Sequence, residues 1–287
     1  MDLTGNKVTA SGDSDAPVPA VGGGRTHQVS TSIEYASNAG VLRQAPAANH
    51  GVGTATAGSG GDQATSAGSH PDKINIKQVR PNNVLKKYWD KRYSLFNKYD
   101  RGIQLDAESF YSVCPEILSY HIAQRCKGKV AMDPFCGAGG NIIQLARFYT
   151  KVIAIDKDPE KIKMAIHNSK IYGVEKHIIF IVGDFFKLAN RFKADVIVTS
   201  PPWGGPNYSK KKNYTLRNMC QDQGHDGFDI FELARKIAPN IVLHLPKNIY
   251  LGECQSLANS FNDKLQIEKN FMNNKLDSIS AFFGDFY

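Results

Sequence analysis

The chain has 287 residues, 41% hydrophobic, with 35 Lys+Arg against 27 Asp+Glu and a formal net charge of +8. That length admits one or two domains with a sizeable core, and no apolar run spans a bilayer or resembles a secretory signal. The five cysteines, Cys114, Cys126, Cys136, Cys220 and Cys254, form neither a C-x-x-C pair nor a Cys/His cluster, so neither a metal site nor a disulfide is expected and a reducing compartment suits them.

Residues 1–72 are rich in Gly, Ala, Ser and Thr and lack Phe and Trp. Such a stretch buries too little apolar surface to offset its ordering entropy, so a disordered low-complexity tail is expected. Its three basic residues, Lys7, Arg25 and Arg43, against six acidic ones also disfavour a transit peptide. The tail contributes 3 − 6 = −3, leaving 32 − 21 = +11 on residues 73–287. A basic folded part beside an acidic tail points to a polyanionic partner.

Residues 73–127 predict a small helical extension. One helical segment is expected over 84–100, where Lys86, Lys87, Lys91, Arg92 and Lys98 interleave with Tyr88, Trp89, Tyr93, Phe96 and Tyr99. A second begins at Pro115, a residue suited to a first turn. From 128 to 287 strands and helices alternate: strands at 129–133, 151–156, 178–182, 196–199 and 240–245, with helices at 141–148, 159–172, 185–192, 228–237 and 253–261. Two last runs, about 265–272 and 276–286, pair as an antiparallel ribbon. This alternation predicts an α/β fold with a doubly wound parallel sheet covered on both faces.

Three strand ends carry acids. Asp133 precedes the turn Pro134-Phe135-Cys136-Gly137-Ala138-Gly139-Gly140-Asn141, where glycine lets the backbone approach a ligand. No third glycine completes a dinucleotide fingerprint, and an acid there repels a pyrophosphate. Asp133 suits an amino-bearing ligand. Asp156 suits a ribose diol, Asp184 an adenine amine, and Phe185 the face of that ring. In register, the acids describe an adenosyl ligand without phosphates, namely S-adenosylmethionine. The fourth strand ends in Ser200-Pro201-Pro202-Trp203. A proline pair fixes nearby carbonyls that can accept from an amino group, and the indole can stack on a flat ring. Such a site holds a nucleobase by its face and presents an exocyclic amine. Lys210-Lys211-Lys212 reads as RNA-facing or solvated.

Asp133 to Asn141, Val152-Ile153-Ala154-Ile155-Asp156-Lys157-Asp158-Pro159, Ser200 to Tyr208 and Asn273-Asn274-Lys275 resemble the trimethylguanosine synthase family, RNA cap guanine-N2 methyltransferases of the class I S-adenosylmethionine-dependent superfamily. Lys87-Tyr88-Trp89 through Tyr93-Ser94-Leu95-Phe96 is similar to that family's helical extension, so the resemblance covers about 84–287. It implies a Rossmann-like class I fold and two successive methyl transfers from S-adenosyl-L-methionine to N2 of the 7-methylguanosine cap of small nuclear and nucleolar RNAs. Trp203 would stack on the cationic ring, and Ser200 with the Pro201 backbone would orient the amine. Lys87, Tyr208 and Lys247 would contact the cap triphosphate, with Asn168 a further substrate contact. Phe96, Ser112 and Cys114 would close the cofactor pocket, together with Phe135, Gly137 and Asn141. Cys114 stands where the family has threonine, Phe96 equally suits a core, and Asn141 equally caps a helix. The resemblance also implies a monomer, small nuclear ribonucleoprotein proteins as partners, and residence in the nucleus (nucleolus or Cajal body) and cytoplasm.

Two other readings share parts of this pattern. An amine methyltransferase acting on an internal nucleobase has the fold and Ser-Pro-Pro-aromatic but needs no triphosphate site; Trp203-Gly204-Gly205-Pro206 and the basic front favour the cap. A catalytically silent RNA-binding module would tend to lose strand-end acids, and all three are present.

Overall fold

A computed structural model describes residues 29–36, 42–43 and 78–286. Seven strands make the central sheet: β3 (Val130–Asp133), β4 (Lys151–Asp156), β5 (Ile178–Val182), β6 (Val196–Thr199), β7 (Asn240–Pro246), β8 (Leu265–Met272) and β9 (Lys275–Phe283). Their order is β8-β9-β7-β6-β3-β4-β5. The five strands from β7 to β5 are parallel, and β9 lies antiparallel between β7 and β8. The parallel strands are apolar nearly throughout because both faces are covered. One core holds Ala131, Val152 and Val196; another holds Met132, Ile153 and Ile197.

Two strands, β1 (Val29–Ala36) and β2 (Leu42–Arg43), extend the edge beyond β8. They fall within the expected tail, most of which lies outside the described residues. The run Val29-Ser30-Thr31-Ser32-Ile33-Glu34-Tyr35-Ala36 has β-forming residues at alternate positions, a signal that averaging over 72 residues removes. Its register runs from Val29 opposite Met272 to Ala36 opposite Leu265, using the unpaired hydrogen-bonding edge of β8.

The helices are α1 (Lys86–Trp89), α2 (Arg92–Leu95), α3 (Ser109–Ser112), α4 (Glu116–Arg125), α5 (Gly140–Leu145), α6 (Pro159–Tyr172), α7 (Phe185–Leu188), α8 (Gly227–Ile237) and α9 (Leu251–Ser260). The expected single helix over 84–100 is instead two short turns. The break brings Trp89 to ring-centroid distances of 5.6 Å from Tyr99 and 5.8 Å from Phe110, with the Arg92 guanidinium 4.5 Å over the indole. Much of the predicted basic–aromatic interleaving is thus internal packing. Val84, Leu95 and Phe96 share one core with Ile142 and Ile143 of α5, so the extension is built onto the sheet. At the other end of the extension, Arg125 and His121 of α4 pair with the fully buried Glu268 of β8.

The Asn273-Asn274-Lys275 motif is explained by its turn. Asn273 and Asn274 have φ of 50° and 63° and join β8 to β9 with Met272 opposite Lys275. A two-residue hairpin loop with both φ positive favours asparagine.

Candidate active site

Strand order reverses between β3 and β6, so the loops leaving their carboxyl ends diverge and open a crevice. A cavity of about 390 Å³ lies there, within the roughly 300–1,000 Å³ usual for small-molecule sites. Its walls are the Pro134–Asn141 loop, the ends of β4 and β5, the Ser200–Tyr208 loop, and residues 108 and 111–114 of the extension. Gly139 caps α5 with φ of 101°, and a Cβ there would stand 3.4 Å from the Ala165 Cα. Only glycine suits that left-handed, close-packed position.

Behind the loop lies a buried polar network. Asp133 is 1% exposed and accepts from the Phe135 N–H (3.0 Å), Asn141 Nδ2 (2.9 Å) and Thr199 Oγ1 (2.9 Å). Burial pushes its carboxyl up to about 6 against these donors. Asn141 accepts from Ser119 Oγ (3.0 Å) and donates onward to Ser200 Oγ (3.3 Å). Asp133 therefore does not line the cavity, contrary to expectation. It is a positioning residue that joins the loop after β3 to the loop after β6. The strand end set the place of its Cα, but Asn141 and Thr199 draw its side chain inward. Sequence reasoning missed Thr199 and Ser119.

The donor set fits S-adenosylmethionine. Asp156 lines the cavity, with Oδ2 accepting from the Gly137 N–H (2.9 Å) and Oδ1 from the Asp158 N–H (3.0 Å); burial raises its pKa. Asp184 and the buried Phe185 stand at the end of β5, and Phe135 packs edge-on to Phe185 at 5.6 Å. The lysines at this end are paired: Lys161 with Asp106 (2.8 Å) and Glu108 (3.2 Å), Lys157 with Asp222 (3.5 Å). An acidic cavity whose cations are already engaged suits a sulfonium and an adenosine, and it does not suit a pyrophosphate.

On the far wall, Ser200 Oγ lies 3.0 Å from His244 Nδ1 of β7. The Trp203 indole N–H donates to the His244 carbonyl (3.2 Å), and the two rings meet edge-on at 5.2 Å. Tyr208 meets Trp203 edge-on at 5.1 Å, and the Tyr214 hydroxyl donates to the Trp203 carbonyl (3.1 Å). Gly204 and Gly205, with φ of 83° and 72°, turn the chain after the indole. The Pro202 carbonyl accepts from the Cys220 N–H (3.3 Å), while Pro201 lines the cavity. His244 had a sequence signal that went unused, a lone titratable residue in the apolar run Ile241-Val242-Leu243-His244-Leu245.

Burial pushes the His244 imidazole down to about 4 from its ordinary 6.5. The unfolded chain then takes up this proton first as pH falls, so the contribution of His244 to stability is full above about 6.5 and is lost toward 4. We expect Tm to decline from pH 7 to 4.5 less steeply in His244→Phe than in the parent. Equal slopes in a thermal scan would show that the folded protein already accepts the proton.

Of the residues singled out from the sequence, Ser112, Cys114, Phe135, Gly137, Asn141, Asp156, Asp184, Phe185, Ser200, Pro201, Trp203 and Tyr208 line the cavity. The Cys114 thiol is pushed up to about 12 by burial and is inert there. Two expected residues are elsewhere. Phe96 is in the core against Tyr172. Asn168 is fully buried, exchanging hydrogen bonds with Gln104 and donating to the Ala138 carbonyl (2.9 Å). It braces the cofactor loop from behind and does not meet substrate. Lys87 and Lys247 are exposed and do not line the cavity.

The family described as RNA cap guanine-N2 methyltransferase matches residues 128–286. Trimethylguanosine synthase of Schizosaccharomyces pombe is 40% identical over 182 residues, 59% of this chain and 74% of that protein. The Saccharomyces cerevisiae protein of the same name is 32% identical over 195 residues, 63% of this chain and 61% of its own length. Among solved structures, a putative methyltransferase from Porphyromonas gingivalis W83 superposes with a TM-score of 0.50 at 15% identity, over 69% of this chain and 48% of that one, a likeness of fold.

Proposed function

This chain belongs to the RNA cap guanine-N2 methyltransferase family, and from that premise we propose that it methylates N2 of a 7-methylguanosine cap twice in succession, giving 2,2,7-trimethylguanosine. The observation that carries the reading is the half-buried Trp203, braced by His244 and Tyr208, beside Ser200 on a wall shared with the cofactor cavity.

When bound, S-adenosylmethionine supplies an electrophilic methyl group on a sulfonium. Asp156 would take the ribose hydroxyls, Asp184 the adenine amine, and Phe185 with Phe135 the ring. Trp203 holds the methylated guanine by its face, where the ring's positive charge adds cation–π attraction to stacking, about 1–3 kcal/mol together. Ser200 Oγ and the Pro201 backbone fix the direction of the N2 amine. Asp133 is unsuited to act as general base, because its oxygens already accept three hydrogen bonds behind the wall. Ser200 and Pro201 would raise the rate mainly by holding the amine in one orientation, an effect able to supply several kcal/mol. The cationic ring makes the N2 proton easier to lose after transfer. Lys87, Tyr208 and Lys247 hold the triphosphate. The substrates are small nuclear and nucleolar RNAs, with small nuclear ribonucleoprotein proteins as neighbours, and we assign the monomer to the nucleus.

The test is methyl transfer to a 7-methylguanosine cap dinucleotide and to its unmethylated counterpart. Dimethyl and trimethyl products from the first alone are expected. Equal rates on both would remove the ring-cation argument, and transfer to neither would redirect the search to an internal base.

A further inference from the structure

The loop that presents Trp203 continues into an exposed basic ridge which the chemistry of the cap does not use. Lys210, Lys211 and Lys212 are all exposed, and no ion pair among the described residues engages them. Exposed lysines are commonly only solvated, yet here the backbone that carries them is held. Residues 206–210 form a 3₁₀ turn. Asn248 Nδ2 donates to the carbonyls of Tyr208 (3.2 Å) and Lys211 (2.8 Å). The Tyr214 N–H donates to the Asn248 carbonyl (2.9 Å), and the Tyr250 N–H to the Tyr214 carbonyl (2.7 Å). These bonds fasten the lysine run to the turn after β7, which carries the exposed Lys247 and, at 58% exposure, Tyr250. Asp277, whose charge is felt at Tyr208, is turned toward Lys91 at 3.7 Å.

A row of exposed cations on a held backbone, with a largely exposed aromatic ring on the turn it is fastened to, is an arrangement that suits single-stranded nucleic acid. Phosphates take the charges and a base takes the ring, without sequence readout. The row also begins at the residues that hold the cap. We propose that Lys210, Lys211 and Lys212, with Tyr250, form a track that leads on from the triphosphate contact Lys247 and takes the first nucleotides following the cap, lysines on phosphates and Tyr250 under a base. The proposal rests on the cap reading of Trp203 and extends it from the cap to the RNA body.

The test compares a cap dinucleotide with a capped ten-nucleotide single strand, and adds binding of the same strand uncapped, read by fluorescence anisotropy. Lys210→Ala/Lys211→Ala/Lys212→Ala is expected to leave Tm and dinucleotide turnover unchanged. Its KM for the capped strand should rise about tenfold near 0.1 M salt, and the slope of log affinity against log salt should fall by about 2, since each single-strand phosphate contributes about 0.7. Tyr250→Ala should weaken the strand about fivefold or more with little change in that slope. An unaltered KM for the capped strand in the triple variant would overturn the track and leave the lysines to an acidic protein surface. Equal losses on both substrates would overturn it as well. Failure of the cap reading looks different: no turnover of the dinucleotide by the parent protein, with binding of the uncapped strand intact and still dependent on the lysines.

Discussion

Trp203→Ala is expected to raise the KM for a 7-methylguanosine cap by about 5- to 150-fold, the loss of roughly 1–3 kcal/mol of stacking and cation–π attraction. The same change should bring the preference for the 7-methylated over the unmethylated cap close to one, because in the proposed mechanism the quadrupole of the indole senses the ring charge. Trp203→Phe separates the parts of this effect. It keeps a flat face but loses the N–H that donates to the His244 carbonyl at 3.2 Å, so an intermediate KM with retained preference is expected. Affinity for S-adenosylmethionine, measured by calorimetry, should stay near that of the parent, since Asp156, Asp184 and Phe185 hold the other end of the cavity. A Trp203→Ala enzyme with KM and cap preference close to the parent would mean that the base stacks elsewhere.

Asp133→Ala should be the most destabilising single change at the site, and it should abolish cofactor binding although its side chain does not reach the cavity. It strands three donors, the Phe135 N–H, Asn141 Nδ2 and Thr199 Oγ1. Each unsatisfied buried group costs about 1–3 kcal/mol. A total of several kcal/mol is a large share of the roughly 5–15 kcal/mol by which a domain is stable. Asn141 then loses the acceptor that aims it between Ser119 and Ser200, so both the cofactor loop and the serine lose their alignment. Asp133→Asn should be milder. It keeps one acceptor and removes a charge that burial already disfavours, as the rise of the carboxyl to about 6 records, but its amide must face another donor. Thermal scans with and without S-adenosylmethionine check this order. A Tm for Asp133→Ala within a degree or two of the parent would show that the network relaxes and carries little.

The α/β alternation was legible because parallel strands buried on both faces read as continuous apolar runs, such as Val152-Ile153-Ala154-Ile155, and glycine and proline punctuate the turns between them. The candidate site was legible for a related reason. In a doubly wound sheet, ligand loops follow strand ends, so Asp133, Asp156, Asp184 and Ser200 could each be assigned to one rim from chain position alone. Where a residue's partner lies far along the chain, that reading stopped. Phe96 and Asn168 are local matches whose side chains are claimed by Tyr172 and by Gln104 with Ala138. His244 gains its meaning only when β6 and β7 pair and bring it to Ser200, 44 residues earlier. The front segment has helical spacing, yet its helix breaks because Trp89, Tyr99 and Phe110 are better buried together than apart.

The sequence by itself determined the order of strands and helices from residue 128 onward, the rim on which the chemistry sits and the residue types it offers, since these follow from local periodicity and turn chemistry. The tertiary structure decided which of those side chains face the cavity and which hold the wall. That choice turns on where buried polar groups find their hydrogen bonds, and those partners are set by packing across the sheet.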